Sequence, residues 1–291
     1  MTDVTDNDIS EPTAESMGLS GDHPGFDLAR QAGRYIAETT GVAQHRIAVV
    51  LGSGWSGATD LLGDRQTELP TGDIPGFTSA SVAGHGSTVS SIARSSAEGT
   101  VTDHVLVFGS RTHYYEHRDV NAVAHTVRTV AATGAELVVL TNGCGSVNEA
   151  LPPGEPVLIS DHLNLTGATP LLGPEFVDLT DLYSPRIREI ARSVDPSLPQ
   201  GVYVQFPGPQ YETPAEVRMA KLLGGDLVGM STALDAIAAR HAGLEVFGMS
   251  LVTNQAAGIS QHPLSHHEVI EAGRAAQTRI SHLLASIIDK L

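Results

Sequence analysis

Cysteine, lysine and long apolar stretches are all scarce in this chain of 291 residues. Its single cysteine, Cys144, excludes an internal disulfide and suits a reducing compartment, so a cytoplasmic location is expected. No apolar run approaches the roughly 18 residues that cross a bilayer. The N-terminus carries no basic segment leading into an apolar one, so no secretory signal is expected. Lysine occurs only as Lys221 and Lys290, neither of which follows a glycine-rich loop, and this excludes a P-loop. Both are also poorly placed for Schiff-base chemistry, one within a helical stretch and the other next to the C-terminus. Basic residues are outnumbered, 17 Lys and Arg against 33 Asp and Glu, for a net charge of −16. Phosphate backbones need a basic face, so a nucleic-acid partner is excluded.

Six of the acids (Asp3, Asp6, Asp8, Glu11, Glu15 and Asp22) fall in residues 1–22, which hold no Lys or Arg. A solvated acidic tail is expected there, ahead of a body running over 23–291. The body alternates strand-like runs (Ile47–Leu51, Val105–Phe108, Leu137–Leu140, Val157–Ile159, Val202–Phe206, Leu227–Met230, Val246–Thr253) with helical patterns near 26–40, 119–133, 214–223, 232–242 and 267–289. The last helix is the clearest, with Ile280, Leu283, Leu284, Ile287 and Ile288 on one stripe. Thr213 reads as an N-cap and Pro214 as a first-turn proline. This pattern predicts an α/β fold, a single domain with a central mixed β-sheet flanked by helices.

Two loops that follow strands carry chemistry. Gly52-Ser53-Gly54-Trp55-Ser56-Gly57 fits G-x-G-x-x-G and admits two uses. One is a dinucleotide turn, which would make the chain an NAD(P)-binding oxidoreductase. The other is a turn whose amides and Ser53 hydroxyl hold a single phosphate. Residues 58–76 favour the second, because Gly63, Pro70, Gly72 and Pro75 interrupt the helix and strand that a dinucleotide unit requires. The second loop, Arg111-Thr112-His113-Tyr114-Tyr115-Glu116, offers a guanidinium fork and ring donors to an anion. As an extended continuation it would put Arg111, His113 and Tyr115 on one side, with Glu116 placed to orient a donor. His113 and His117 have metal-ligand spacing but no third ligand beside them, and the cluster His262, His266 and His267 lacks thiolate or carboxylate partners. No metal is expected. No G-x-S-x-G elbow occurs either, since Ser56, Ser231 and Ser250 each have a glycine before but not after them.

Taken in order, Leu51–Gly54, Ala83-Gly84-His85, Arg111–Glu116, Thr141-Asn142, Ser160–Leu165, Tyr211-Glu212-Thr213, Gly229–Thr232 and Thr253-Asn254 resemble the trimeric purine nucleoside phosphorylases that cleave inosine and guanosine. The resemblance runs from about residue 26 to the C-terminus. It implies the nucleoside phosphorylase fold, a homotrimer with Leu172 and its neighbours at a subunit edge, and inorganic phosphate as co-substrate with no cofactor. It also implies that Ser53, His85, Arg111, His113, the amide of Gly143 and Ser231 hold phosphate. Tyr115 and Met230 would pack the ribose, and His266 would bind its 5′-hydroxyl. Cys144, Gly145 and Tyr211 would lie against the base, whose polar edge would meet Glu212 and Asn254. Catalysis would then rest on Asn254, Glu212, His85 and His266. The chain departs from the family pattern at Gly143-Cys144-Gly145-Ser146 (usually Ala-Ala-Gly-Gly), at Asp235 for glutamate, at His117 for glycine and at the variable Gln255. Methylthioadenosine phosphorylases, the related alternative, carry aspartate where Asn254 stands.

Overall fold

The computed structural model describes residues 24–77, 88–96, 98–260 and 266–291, with the side chains of all of these but 24 and 266–268. The acidic segment 1–22 lies outside the described residues. Nine strands form one sheet: β1 (Ile47–Val50), β2 (Asp64–Pro70), β3 (Thr88–Ser95), β4 (Val101–Phe108), β5 (Leu137–Ser146), β6 (Pro156–Asn164), β7 (Gln200–Gln205), β8 (Leu227–Gly229) and β9 (Glu245–Gln255). Seven α-helices accompany them among the described residues: α1 (Pro24–Thr40), α2 (Tyr114–His117), α3 (Val120–Ala132), α4 (Pro185–Val194), α5 (Pro214–Leu222), α6 (Ala233–His241) and α7 (His266–Ile288).

All four residues of β1 are buried because both sheet faces are covered. Ala48 and Val50 face a layer with Ile36 of α1 and Val127 and Val130 of α3. Ile47 and Val49 face Ile187 of α4 and Ile280, Leu284 and Ile287 of α7. Each such large side chain contributes about 1.5–3 kcal/mol by leaving water. A third cluster packs Val217 and Ala220 of α5 against Val204, Phe206, Val228 and Ala256.

The topology turns on β5, which is long enough to serve two partnerships. Its first half lies parallel to β1 on one side and to β9 on the other. Once β1 has ended, Gly145 and Ser146 pair antiparallel with β8. Strand β9 pairs with β6, β6 with β7 and β7 with β8, so β5, β9, β6, β7 and β8 close into a ring. The parallel strands β4, β1, β5 and β9 all end on the same side of the sheet.

Three elements exceed the sequence expectations. Edge strand β2 is largely exposed and so carries no apolar alternation. Strand β3 buries Ser90 and Ser91, whose hydroxyls are partnered: Ser91 Oγ lies 2.8 Å from His45 Nε2, and Ser90 Oγ lies 3.5 Å from Glu68 Oε2. Helix α4 is short and charged and buries only Ile187 and Ala191. Its start is nevertheless written in the sequence, with Pro185 in the first turn and Ser184 Oγ accepting from the Ile187 amide at 3.2 Å.

One expectation is corrected and one alternative is excluded. Segment 111–116 does not continue as an extended strand: backbone extension stops at His113, which caps the one-turn helix α2. The capping is reciprocal, since Glu116 Oε1 accepts from the His113 amide at 2.6 Å. Gly52–Gly57 does not open a dinucleotide unit. A 3-10 turn (Ser56–Leu61) and the antiparallel pair β2–β3 follow it, not a helix and a parallel strand. Its glycines answer to close packing: a Cβ on Gly52 would sit 2.4 Å from the Thr141 carbonyl oxygen, and Gly54 (φ +88°) lies back to back with Gly273 of α7.

Candidate active site

Open α/β sheets place ligands beyond the carboxyl ends of their strands. Here β1 delivers Gly52 and Ser53, β4 delivers Arg111, β5 ends in Asn142–Gly145 and β9 in Thr253 and Asn254. The segments after β8 and β7 add Met230 and Ser231, and Tyr211 and Glu212. Together they line one cleft with about 800 Å³ of empty space, the open solvent at its mouth included.

One half of the cleft is rich in donors. The Arg111 side chain is 1% exposed and its guanidinium is tied down. Nη2 donates to the carbonyls of Val50 (3.2 Å), at the end of β1, and Thr141, midway along β5. Nη1 donates to Thr232 Oγ1 at 3.1 Å and lies 3.6 Å from Asp235 Oδ2. Asn142 Nδ2 also donates to Thr232 Oγ1, at 2.9 Å. His113 Nδ1 is 3.3 Å from Glu116 Oε1, and its ring stacks on Tyr115 with centroids 4.9 Å apart. Burial, with Glu116 and Tyr211 adding to it, pushes the Tyr115 phenol up to about 12, so it stays protonated at neutral pH.

The other half has a different character. Glu212 is 7% exposed, and its buried Oε1 has no hydrogen-bond partner among the described residues. Desolvation raises its carboxyl above the ordinary value of 4.5, with Glu216 adding a smaller push. Asn254 lines the same cleft, with Oδ1 accepting from Thr253 Oγ1 at 2.8 Å and Nδ2 donating to the Gln255 carbonyl at 3.0 Å. Cys144, Gly145, Val228 and Ala256 add apolar surface to the lining of the same cleft. Full burial pushes the Cys144 thiol up to about 12, so it is a packing group and not a nucleophile.

Twelve of the residues expected from sequence line this one cleft: Ser53, Arg111, His113, Tyr115, Gly143, Cys144, Gly145, Tyr211, Glu212, Met230, Ser231 and Asn254. His85 lies outside the described residues, and so does the side chain of His266, the first residue of α7. Asn142, Val228, Thr253, Ala256 and Val269 also line the cleft and were not assigned from sequence. Asn142 and Thr253 sit inside recognised motifs and were visible there, whereas nothing in the local sequence marks Val269. Among the described residues, no three His, Cys, Asp or Glu side chains are grouped to share a metal ion. No described helix is long and apolar enough to cross a membrane.

A sheet of this topology with its cleft at the parallel strand ends defines a member of the Phosphorylase superfamily, whose family model matches residues 46–289. Among curated relatives, a purine nucleoside phosphorylase of Cellulomonas sp is 64% identical, covering 91% of this chain and 94% of its own. That of Mycobacterium tuberculosis is 53% identical over 91% of this chain and 96% of its own. Solved structures agree. A Schistosoma purine nucleoside phosphorylase in complex with hypoxanthine superposes with a TM-score of 0.80 at 30% identity, covering 91% of this chain and 97% of its own. The Schistosoma mansoni enzyme in complex with inosine gives 0.79 at 30% identity, covering 91% and 96%. The chain belongs to the purine nucleoside phosphorylase family, and it is a pentosyltransferase.

Proposed function

We propose that this enzyme catalyses the reversible phosphorolysis of 6-oxopurine (2′-deoxy)ribonucleosides, chiefly inosine and guanosine, to free base and (deoxy)ribose 1-phosphate. One observation carries the reading: the anchored guanidinium of Arg111 and the Glu212–Asn254 pair open onto the same cleft. Phosphate occupies the donor-rich half, held by Ser53, Arg111, His113, the Gly143 amide and Ser231, with His85 as a further ligand. Tyr115 and Met230 pack the ribose and His266 binds its 5′-hydroxyl. Tyr211 covers the base.

The chemistry follows from where charge develops. Breaking the glycosidic bond leaves positive charge on the sugar and negative charge on the departing purine. The phosphate dianion stabilises the first, and fixed donors toward N7 and O6 stabilise the second. Holding all three groups in one cleft removes much of the entropic barrier. The N1–H of a 6-oxopurine offers a donor to the buried Glu212 oxygen, which has no partner among the described residues. Adenine offers only a lone pair there, leaving a buried carboxylate unsatisfied at a cost of about 1–3 kcal/mol. Asn254, which can both donate and accept, suits N7 and O6 together. Phosphate is the co-substrate, and the chemistry asks for no cofactor or metal.

A cytoplasmic homotrimer serving purine salvage completes the proposal, with 23–291 as the phosphorylase domain and 1–22 as an appended acidic tail. Phe176 at 96% exposure and Leu172 at 49% support burial of that loop against another copy. The direct test is hypoxanthine release from inosine with and without phosphate. Release that needs phosphate and yields ribose 1-phosphate is expected, and equal release without phosphate would mean a hydrolase.

A further inference from the structure

Thr232 lines none of the cleft, yet it is wholly buried directly beneath the donor-rich half. It also holds a backbone conformation (φ +80°, ψ −50°) that a β-branched residue rarely adopts, at the N-cap of α6. Such strain persists only where the surroundings fix it. Here the fixing contacts are polar. The Thr232 amide donates to Asp235 Oδ2 at 3.0 Å, while Arg111 Nη1 and Asn142 Nδ2 both donate to its hydroxyl oxygen, at 3.1 and 2.9 Å.

Proton accounting around that hydroxyl gives one solution. Guanidinium and amide nitrogens only donate, so Thr232 Oγ1 accepts twice and its own proton needs an acceptor. Among the described residues, the acceptor within hydrogen-bond distance is Ser231 Oγ at 3.1 Å. Were Ser231 the donor in that pair, the Thr232 proton would be buried with nowhere to go. The fully buried phenol of Tyr203 bears on the same serine: its oxygen accepts from the Ser231 amide at 3.3 Å, and the Ser231 side chain acts on it in the same sense, as a donor. Having accepted the Thr232 proton, the Ser231 hydroxyl keeps its own, which it can give to the Tyr203 oxygen or, in a stronger charge-assisted bond, to an anion in the cleft that it lines.

We propose that Thr232 is a positioning residue, whose hydroxyl aims the Ser231 proton at the bound phosphate while bracing Arg111 and Asn142. This deepens the proposed phosphorolysis and rests on it. Thr232→Val keeps the volume and branching and removes only the hydroxyl. It should raise the phosphate KM by about ten- to a hundredfold, the loss of one hydrogen bond to a charged group, with the inosine KM within about twofold. Thr232→Ser should recover most of the phosphate affinity. Because Thr232 works through its neighbour, adding Thr232→Val to Ser231→Ala should cost clearly less than it does in the wild type. A valine variant with wild-type phosphate KM overturns the proposal, and so does full additivity in the double variant. Should Thr232→Val unfold, a serine variant with the same weakened phosphate affinity overturns it equally. Wild-type enzyme that needs no phosphate would instead sink the underlying reaction, so the two failures are separable.

Discussion

Replacing Glu212 with glutamine removes one charge and almost no volume, and two measurements should then move in opposite directions. The carboxylate is 7% exposed, its Oε1 has no partner among the described residues, and burial raises its pKa above 4.5. A group whose folded pKa is raised contributes stability that is fully present below about 4.5 and is lost as pH rises through the raised value. At neutral pH the charged form therefore costs stability, and Glu212→Gln should melt higher than the wild type. That advantage should shrink on acidification through the same window. Activity should fall, because the purine N1–H loses a charged acceptor. A hydrogen bond to a charged group contributes about 1.5–3 kcal/mol and a neutral one about 0.5–1.5. The difference, about 1–1.5 kcal/mol, is roughly a five- to tenfold loss in kcat/KM for inosine. The assay is steady-state phosphorolysis at saturating phosphate across pH, run beside thermal unfolding. In the wild type kcat/KM should decline on the acid side, above the ordinary carboxyl range, as Glu212 takes up a proton. In the glutamine variant that limb should vanish. A variant with unchanged kcat/KM and the same acid limb would refute the assignment of Glu212 to the base.

Three further outcomes follow from the geometry. Arg111→Lys cannot reach the Val50 and Thr141 carbonyls and Thr232 Oγ1 at once, so the phosphate KM should rise by at least about 100-fold, the lower end for two lost charge-assisted bonds. A phosphate titration at fixed inosine measures it. Cys144, buried and with its thiol pushed up to about 12, should resist a thiol-specific disulfide reagent in the native protein and react within minutes in urea, and fast native labelling would contradict that burial. Gly52→Ala places a Cβ 2.4 Å from the Thr141 oxygen and 2.7 Å from the Asn142 Cα, so it should destabilise the fold by about 1–3 kcal/mol, read as a melting temperature lower by several degrees.

The parts of the molecule legible in sequence were those with a strong period or a capping signature. Strand β1 reads as four apolar residues because both faces are covered, and α7 shows its stripe over several turns. At the start of α5, Thr213 and Pro214 behave as their chemistry requires, Thr213 Oγ1 accepting from the Glu216 amide at 3.2 Å. Strand β3 hid because its inward serines satisfy partners that the local pattern does not reveal, and α4 because two apolar residues make too thin a stripe. The bend at His113 was equally invisible: a residue of ordinary extended geometry becomes a helix cap because Glu116 turns back onto its amide.

Pairing irregularity explains why even a recognised motif understates the site. Along β9, period-two alternation would put Val252 and Asn254 on one face and Thr253 on the other. In the sheet the β5–β9 register slips at this point: Cys144 pairs with Val252, but Gly145 pairs with Asn254, leaving Thr253 as the extra residue. Such a bulge bends the strand and re-aims the side chains that follow. Here it lets both Thr253 and Asn254 line the cleft, and it frees the Thr253 hydroxyl to donate toward the Cys144 carbonyl (3.1 Å) and Asn254 Oδ1 (2.8 Å). The partner position must then be small. A Cβ on Gly145 would come within 3.2 Å of Val228 Cγ2 and 3.3 Å of Asn254 Nδ2, tight enough to push the amide from its place. The orientation of Asn254 is thus set by a skipped residue on its own strand and a missing side chain on the next, two facts that no reading of either strand alone contains.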